Sequence, residues 1–296
     1  AIGGVRVQYE KGTNSGTRTA PIVAGDTVFP GNAPVSGTFS ANDTAVTGKA
    51  GLQYEFSRNA QVYATYTRGY KGLGYEMEIA ADLANQVAIQ PEWVNAYEIG
   101  FKGSTADRSL SFAAALFQSD YSNLQVQANR SDPVTGVVQF VTTNAGSSRS
   151  RGFEIEATLR PADGFSVNMA ATYAQSRINI DGMNCPLQQQ AAAPVLSGTP
   201  VNICYRTSAA ATPQQNLRNG RLQASPDWRI NVVPRYDYEG ESFNAFAQVA
   251  VNFTSDQNFT AEQDPLTEQP AFTLVDATIG VSTADNRYSL TMFVKN

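Results

Sequence analysis

Between Ser148 and Ser176 the chain reads SRSRGFEIEATLRPADGFSVNMAATYAQS, and side-chain character changes at nearly every step. Phe153, Ile155, Ala157 and Leu159 share one parity, while Glu154, Glu156, Thr158 and Arg160 share the other. Pro161-Ala162-Asp163-Gly164 supplies a turn, and the return arm sets Phe165, Val167, Met169, Ala171 and Tyr173 against Ser166, Asn168 and Thr172. Successive strand side chains point to opposite faces, so this is a hairpin with one apolar and one polar face. A soluble β-sandwich can contain such a hairpin as well. Recurrence, strand length and loop spacing separate the two readings.

The pattern recurs along the chain. Val46, Gly48, Ala50, Leu52, Tyr54 and Phe56 alternate with Thr47, Lys49, Gln53 and Glu55. Trp93, Tyr97, Ile99 and Phe101 face away from Glu98 and Lys102, and Leu110, Phe112, Ala114 and Leu116 return. Trp228, Ile230, Val232, Tyr236 and Tyr238 alternate with Arg229, Asn231, Arg235 and Asp237. The same holds for Phe243 to Phe253, Val275 to Val281 and Tyr288 to Val294. Pro234 removes a ladder donor inside one of these runs and predicts a bulge or local bend. Residues 1–10 read as the tail of a strand, and the Gly/Thr/Asn/Pro-rich stretch to about Asp43 reads as loop.

Strands of about ten residues or more exceed the five or six usual in globular proteins. Connections alternate in length: short near 57, 104, 162, 240 and 285, long at 11–45, 71–90, 119–147, 177–221 and 255–270. A sandwich has no reason to sort its loops this way, whereas an outer-membrane barrel has tight periplasmic turns and long external loops. The aromatics form two bands. Trp93, Trp228, Tyr173 and Phe253 sit at the long-loop end, and Tyr54, Phe56, Phe101, Phe165, Tyr238 and Tyr288 sit near the short turns. No run of about 18 apolar residues exists, so no transmembrane helix is expected. Charged residues are only 16% of the chain, in keeping with a wall half turned to lipid. The net charge of −5 argues against a nucleic-acid partner.

The expected fold is therefore all-β: an antiparallel transmembrane β-barrel segment of about eleven strands. An unpaired strand edge is not tolerated in lipid, and the final run at Lys295-Asn296 has no following partner. The chain also begins inside a patterned run, with neither initiator Met nor signal peptide. Residues 1–296 thus read as part of a larger barrel and an internal segment of a longer protein.

GYKGLGYE (Gly69–Glu76), PEWVNAYEIGFKGS (Pro91–Ser104), NAGSSRSRGFEIEATLRP (Asn144–Pro161) and YSLTMFVKN (Tyr288–Asn296) resemble the barrel of TonB-dependent outer-membrane receptors, iron-complex branch. That resemblance implies a barrel of roughly 22 strands, of which this chain is the C-terminal half without the last strand. It further implies an N-terminal plug and a segment contacting the TonB energy-coupling complex, both outside residues 1–296. The implied function is active import of a scarce small-molecule ligand across the bacterial outer membrane, a ferric siderophore-type chelate first among candidates. Alternatives are a passive porin-like channel, an oligosaccharide-importing receptor of the same family, or a soluble carbohydrate-binding β-protein. Outer-membrane lipid is the remaining expected partner.

No cofactor, catalytic residue or metal ligand set is expected. Histidine is absent, which removes the commonest general base and metal ligand. Glu154 and Glu156 share a strand face, as would any two inner-wall residues, and read as polar barrel wall. Cys185 and Cys204 fall in the longest external loop and read as a disulfide clip. Tyr70, Tyr75, Tyr121, Tyr205 and Arg206 lie in or beside external loops. They are candidates for stacking on or hydrogen-bonding a ligand, with packing of the loops themselves as the alternative. A chelate saturated by its own donors needs no metal ligand from its receptor, which suits loops rich in Tyr, Arg, Gln and Asn.

Overall fold

The computed structural model describes residues 1–18, 35–75, 88–131, 138–144 and 146–296. In chain order the strands are β1 (Ile2–Arg18), β2 (Val35–Ser57), β3 (Ala60–Lys71), β4 (Glu92–Ser104), β5 (Leu110–Ser122), β6 (Gln125–Ser131), β7 (Val138–Asn144), β8 (Ser147–Ala162), β9 (Phe165–Asn184), β10 (Gln214–Arg221), β11 (Trp228–Glu239), β12 (Phe243–Thr254), β13 (Gln257–Asn258), β14 (Glu268–Gln269), β15 (Phe272–Thr283) and β16 (Ser289–Val294). One antiparallel sheet runs in the order β1-β2-β3-β4-β5-β8-β9-β11-β12-β15-β16, with β10 paired to β9 off that path. Two small hairpins, β6-β7 and β13-β14, stand apart from it.

Every short connection is a tight turn between path neighbours, which is what antiparallel pairing of adjacent strands requires. Gly164 closes the β8–β9 turn at φ +74°, and a Cβ there would lie 2.3 Å from the Asp237 carbonyl oxygen. Backbone sign and space both demand glycine. In the β4–β5 turn, Ser109 donates to Asp107 through its amide and its hydroxyl, at 3.1 and 2.9 Å.

The register makes two chemically distinct walls. Leu52, Ala64, Ile99, Leu116, Phe153, Tyr173 and Trp228 lie side by side across the sheet. One residue along, Gln53, Tyr63, Gly100, Ala115, Glu154, Thr172 and Arg229 form the matching row on the other face. A recess of about 710 Å³ on that polar face touches Glu55, Gln61, Lys102, Glu156, Asn168 and Asn231, which belong to β2, β3, β4, β8, β9 and β11. A single recess reaching so many successive strands requires the polar face to be concave. Cross-strand polar pairs share this face: Gln53 to Gln61 at 2.7 Å, Thr158 to Asn168 at 2.8 Å and Asn231 to Asn252 at 2.7 Å.

Ring clusters mark both rims of the convex wall. At the upper rim Phe153, Tyr173 and Trp228 pack at 4.9 to 5.7 Å, and Tyr70 lies 5.0 Å from Trp93. At the lower rim Tyr54 meets Phe56, Phe101 meets Phe112, and Tyr238 meets Phe243. Ten residues of β12 separate Phe243 from Phe253. At about 3.4 Å per residue and a tilt near 45°, that is roughly 24 Å along the membrane normal. An outer-membrane apolar band is about 25 Å tall.

Some sequence-based boundaries need correction. The loop expected over 11–45 is strand at both ends, because β1 and β2 pair continuously from Ile2↔Gly51 to Arg18↔Val35. Backbone hydrogen bonds hold this two-stranded ribbon without an apolar face, so composition reads it as loop. The loop expected over 177–221 likewise loses its ends to β9 and β10, and that over 119–147 contains the β6-β7 hairpin. Residues 19–34, 76–87 and 132–137, the middles of three expected loops, lie outside the described residues. Pro234 produces no bulge. Pairing with β12 skips Val233 and Pro234 and resumes in the same register, Val232↔Val251 and then Arg235↔Gln248.

Candidate ligand-facing site

Above the upper aromatic rim the strands leave the membrane band, and the external loops build a body of their own. Ile178 and Ile180 lie on the parity of β9 that faces the interior lower in the strand, and bury against Met183, Leu217 and Ala261, flanked by Leu124 and Leu222. The loop between β12 and β15 joins this core through its backbone. Gln263 donates to the Arg221 carbonyl (2.8 Å) and accepts from the Arg221 amide (3.1 Å). Gln215 donates to the Glu262 carbonyl (2.9 Å), and the Ala224 amide to the Asn258 carbonyl (2.8 Å). The Arg221 guanidinium binds the Asp256 carboxylate and holds it below the usual carboxylate range, as Asp256 in turn raises Arg221. The Cys185–Cys204 disulfide forms as expected, with its Cα atoms 5.6 Å apart and 19 residues of separation. A small core, a covalent clip and shared backbone partners give this loop pair a defined shape before any ligand arrives.

The five candidate side chains occupy different environments. Tyr205 is buried, and its hydroxyl accepts from Gln214 and Asn216, each at 3.1 Å. The Arg206 guanidinium donates to the carbonyls of Ala211 (3.0 Å) and Gln190 (2.9 Å). Both therefore fasten the disulfide-bearing loop. The Tyr70 hydroxyl donates to Glu10 at 2.6 Å, and Tyr75 donates to the Gly12 carbonyl at 3.3 Å, so these two tie the end of β3 and the chain beyond it to β1. Tyr121 takes the inner parity of β5, paired with Val94 and Ser148, and borders a recess that Arg149 and Arg177 also line. The structure thus does not gather the five into one pocket. Glu154 and Glu156 lie two apart on the inner wall opposite neutral partners, Ala115 and Thr172, Ala113 and Ala170.

The architecture now on view is an antiparallel sheet with a polar concave wall, an apolar convex wall, aromatic rims and shaped external loops. The family model for the TonB dependent receptor-like β-barrel matches residues 1–296. The chain belongs to that family.

Curated relatives of this TonB-dependent receptor barrel include a probable TonB-dependent siderophore receptor, PiuA, of Acinetobacter baumannii. It is 28% identical over 152 residues, 50% of this chain and 19% of that protein. The pesticin receptor of Yersinia pestis is 28% identical over 180 residues, 60% of this chain and 24% of that protein. Among solved structures, the ferric yersiniabactin uptake receptor FyuA of Yersinia pestis superposes with a TM-score of 0.71 at 19% identity, covering 99% of this chain and 37% of that one. The A. baumannii PiuA structure gives 0.62 at 18% identity, over 99% of this chain and 36% of that one. The chain spans about a fifth to a quarter of the length of the curated relatives it matches. The family is one of outer-membrane transport receptors, not enzymes, and this chain is a β-barrel segment of the bacterial outer membrane.

The charged side chains just above the upper aromatic rim escaped the sequence reading. Arg149, Arg151 and Arg177 continue strands β8 and β9 in unbroken register. The signal was present: Ser-Arg-Ser-Arg keeps period two, but with polar residues on both faces it carries no amphipathic contrast.

Proposed function

We propose that this barrel segment belongs to an active-transport receptor that binds a ferric siderophore-type chelate outside the cell and imports it with TonB-coupled energy. The chain would supply part of a larger barrel, around 22 strands in related receptors. The plug and TonB-contacting parts would lie elsewhere in the receptor. The observation that carries the reading is the joint occurrence of this barrel wall with relatives named as siderophore receptors. The chemistry agrees. The chain has no histidine with which to ligate a haem iron. Its loops offer hydroxyl, amide and guanidinium groups suited to the outer surface of a chelate that already saturates its metal. Tyr121, on the inner parity of β5, is the candidate for direct contact. Tyr205 and Arg206 contribute by holding the loop, and the chain performs no catalysis.

The intact receptor decides the matter in a binding and uptake screen. Ferric chelates should bind tightly and enter cells only when TonB is functional. Haem bound with an imidazole-ligated spectrum, binding of oligosaccharides alone, or passive uptake without energy coupling would each overturn the reading.

A further inference from the structure

The external connections carry more acid than base. The stretches 11–45, 71–90, 119–147, 177–221 and 255–270 hold twelve carboxylates and eight basic side chains. That surplus of acid accounts for most of the chain's net charge of −5. The longest stretch, 177–221, contributes four of the eight cations, and each of the four is engaged with the protein itself. Arg177 is bidentate to Asp227 at 2.9 Å on both arms, Arg218 binds Asp181 at 2.6 Å, and Arg221 binds Asp256. Arg206 is held by the carbonyls of Ala211 and Gln190. The stretch 255–270 has Asp256, Glu262, Asp264 and Glu268 and no basic residue.

These loops stand over the opening. Ile178 and Ile180 take the concave parity of β9 and bury against Leu217 and Ala261, so β10 and the β12–β15 connection fold over the concave side. The wall beneath them is set with small neutral residues. Thr67, Ala96, Ser119, Ser150 and Ser176 form one cross-strand row, with Val94, Tyr121, Ser148 and Ile178 above it. Lys49, opposite Thr67, extends the lower row with a single charge. Arg149, Arg151 and Arg177 take the convex parity, away from the opening.

We propose that the ligand taken by this receptor carries no net negative charge: a neutral chelate of the ferric trihydroxamate kind, not a trianionic ferric tris-catecholate. Three hydroxamates cancel the charge of ferric iron, whereas three catecholates leave an excess of three negative charges. A polyanion is recognised through guanidinium or ammonium groups free to donate to it. In the largest loop those groups are already paired, and the surplus carboxylates repel an approaching anion. A neutral chelate meets instead the hydroxyls of Ser119, Tyr121 and Ser150, which donate to its oxygens without needing a counter-charge. The inference rests on the transport reading and narrows its substrate class.

Calorimetric titration of the intact receptor with ferric chelates of graded charge tests it. A linear trihydroxamate with its terminal amine free, acetylated or succinylated supplies a cation, a neutral form and a monoanion, and a tris-catecholate supplies the trianion. The tightest ligand should be neutral or cationic. The trianion should bind about tenfold more weakly, and better as added salt screens the repulsion. Glu268→Lys combined with Thr207→Lys, both at exposed positions, should improve trianion binding about threefold and leave the neutral chelate unchanged. Tightest binding of the tris-catecholate, or trianion binding that salt weakens, would overturn the proposal. Unchanged trianion binding in the double variant, with its boiling-dependent gel shift intact, would overturn it too. Binding of no ferric chelate of any charge would be failure of the transport reading itself, so the two failures are distinct.

Discussion

Val249 offers a sharp test of the two-wall register. It lies on β12, four residues from Phe253 and six from Phe243, the aromatic residues at the two rims. Those steps correspond to about 10 and 14 Å along the normal, so Val249 stands close to the midplane. It is 38% exposed and pairs with Ala277 on the convex face. An arginine there has far to reach before its guanidinium regains head groups at either rim. The cost for arginine at the midplane of a barrel's lipid face is about 2–4 kcal/mol. The lower figure already shifts the folded-to-unfolded ratio about thirtyfold. The adjacent Ala250 has the opposite parity and pairs with Asp276 on the concave wall. Arginine at 250 gains an acidic neighbour in water, so Ala250→Arg should cost little. The assay is the urea midpoint of the boiling-sensitive gel shift of the intact receptor, supported by spin labels probed with oxygen and a water-soluble relaxant. A larger loss for Ala250→Arg than for Val249→Arg, or water-like accessibility at 249, would refute the register.

Two further outcomes follow from the loops and turns. Replacing Cys185 and Cys204 by alanine removes a cross-link spanning 19 residues, a loss of roughly 3 kcal/mol in the chain-entropy model. Protease cleavage between β9 and β10 should rise while the barrel's gel shift stays unchanged, as mass spectrometry of the digest would show. In the β4–β5 turn, hydrogen bonds from Thr105 and Ser109 hold the Asp107 carboxyl at about 2, below its ordinary 3.8. A depressed folded-state value contributes stability above the unfolded one, lost as pH falls from about 4 towards 2. An NMR titration of the Asp107 carboxyl should therefore show a midpoint near 2, and a midpoint near 4 would refute those hydrogen bonds.

The barrel wall was legible in the sequence because its cause is local. Lipid on one side and a polar interior on the other impose opposite demands on adjacent residues, so Phe153-Glu154-Ile155-Glu156 declares both faces. Tight turns were equally plain, since Gly164 and Asp107 meet requirements of the turn itself. Legibility ended where that contrast ended. Lys11 to Arg18 pairs in full with Val35 to Asn42, yet its side chains give no period to read. Ile178 and Ile180 alternate with Arg177 and Asn179, but on the parity that is polar lower in β9, so the apolar phase that marks the strand to Tyr173 is inverted there. Their burial depends on Leu217 and Ala261, distant in sequence, and no local pattern reports it.

Tyr205 shows the same limit at the candidate site, and it separates loop support from ligand contact. As a loop tyrosine near Arg206 it reads as a stacking residue for a ligand, but folding of the loop buries it to 2% exposure. Its hydroxyl oxygen accepts from Gln214 and from Asn216, which is itself buried and whose amide also donates to the Pro200 carbonyl at 2.9 Å. Tyr205→Phe keeps the ring and removes the acceptor, leaving part of a buried amide unpaired at a cost of about 1–3 kcal/mol. That cost falls on the loop and not on the barrel. Protease cleavage between β9 and β10 should therefore increase, with the gel shift intact and any loss of chelate affinity tracking the opened fraction. Tyr121→Phe changes a residue of the strand wall and should leave the cleavage pattern alone while lowering chelate affinity. An unaltered digest of Tyr205→Phe receptor, together with weakened binding, would mean that Tyr205 meets the ligand directly and that the loop opens to present it.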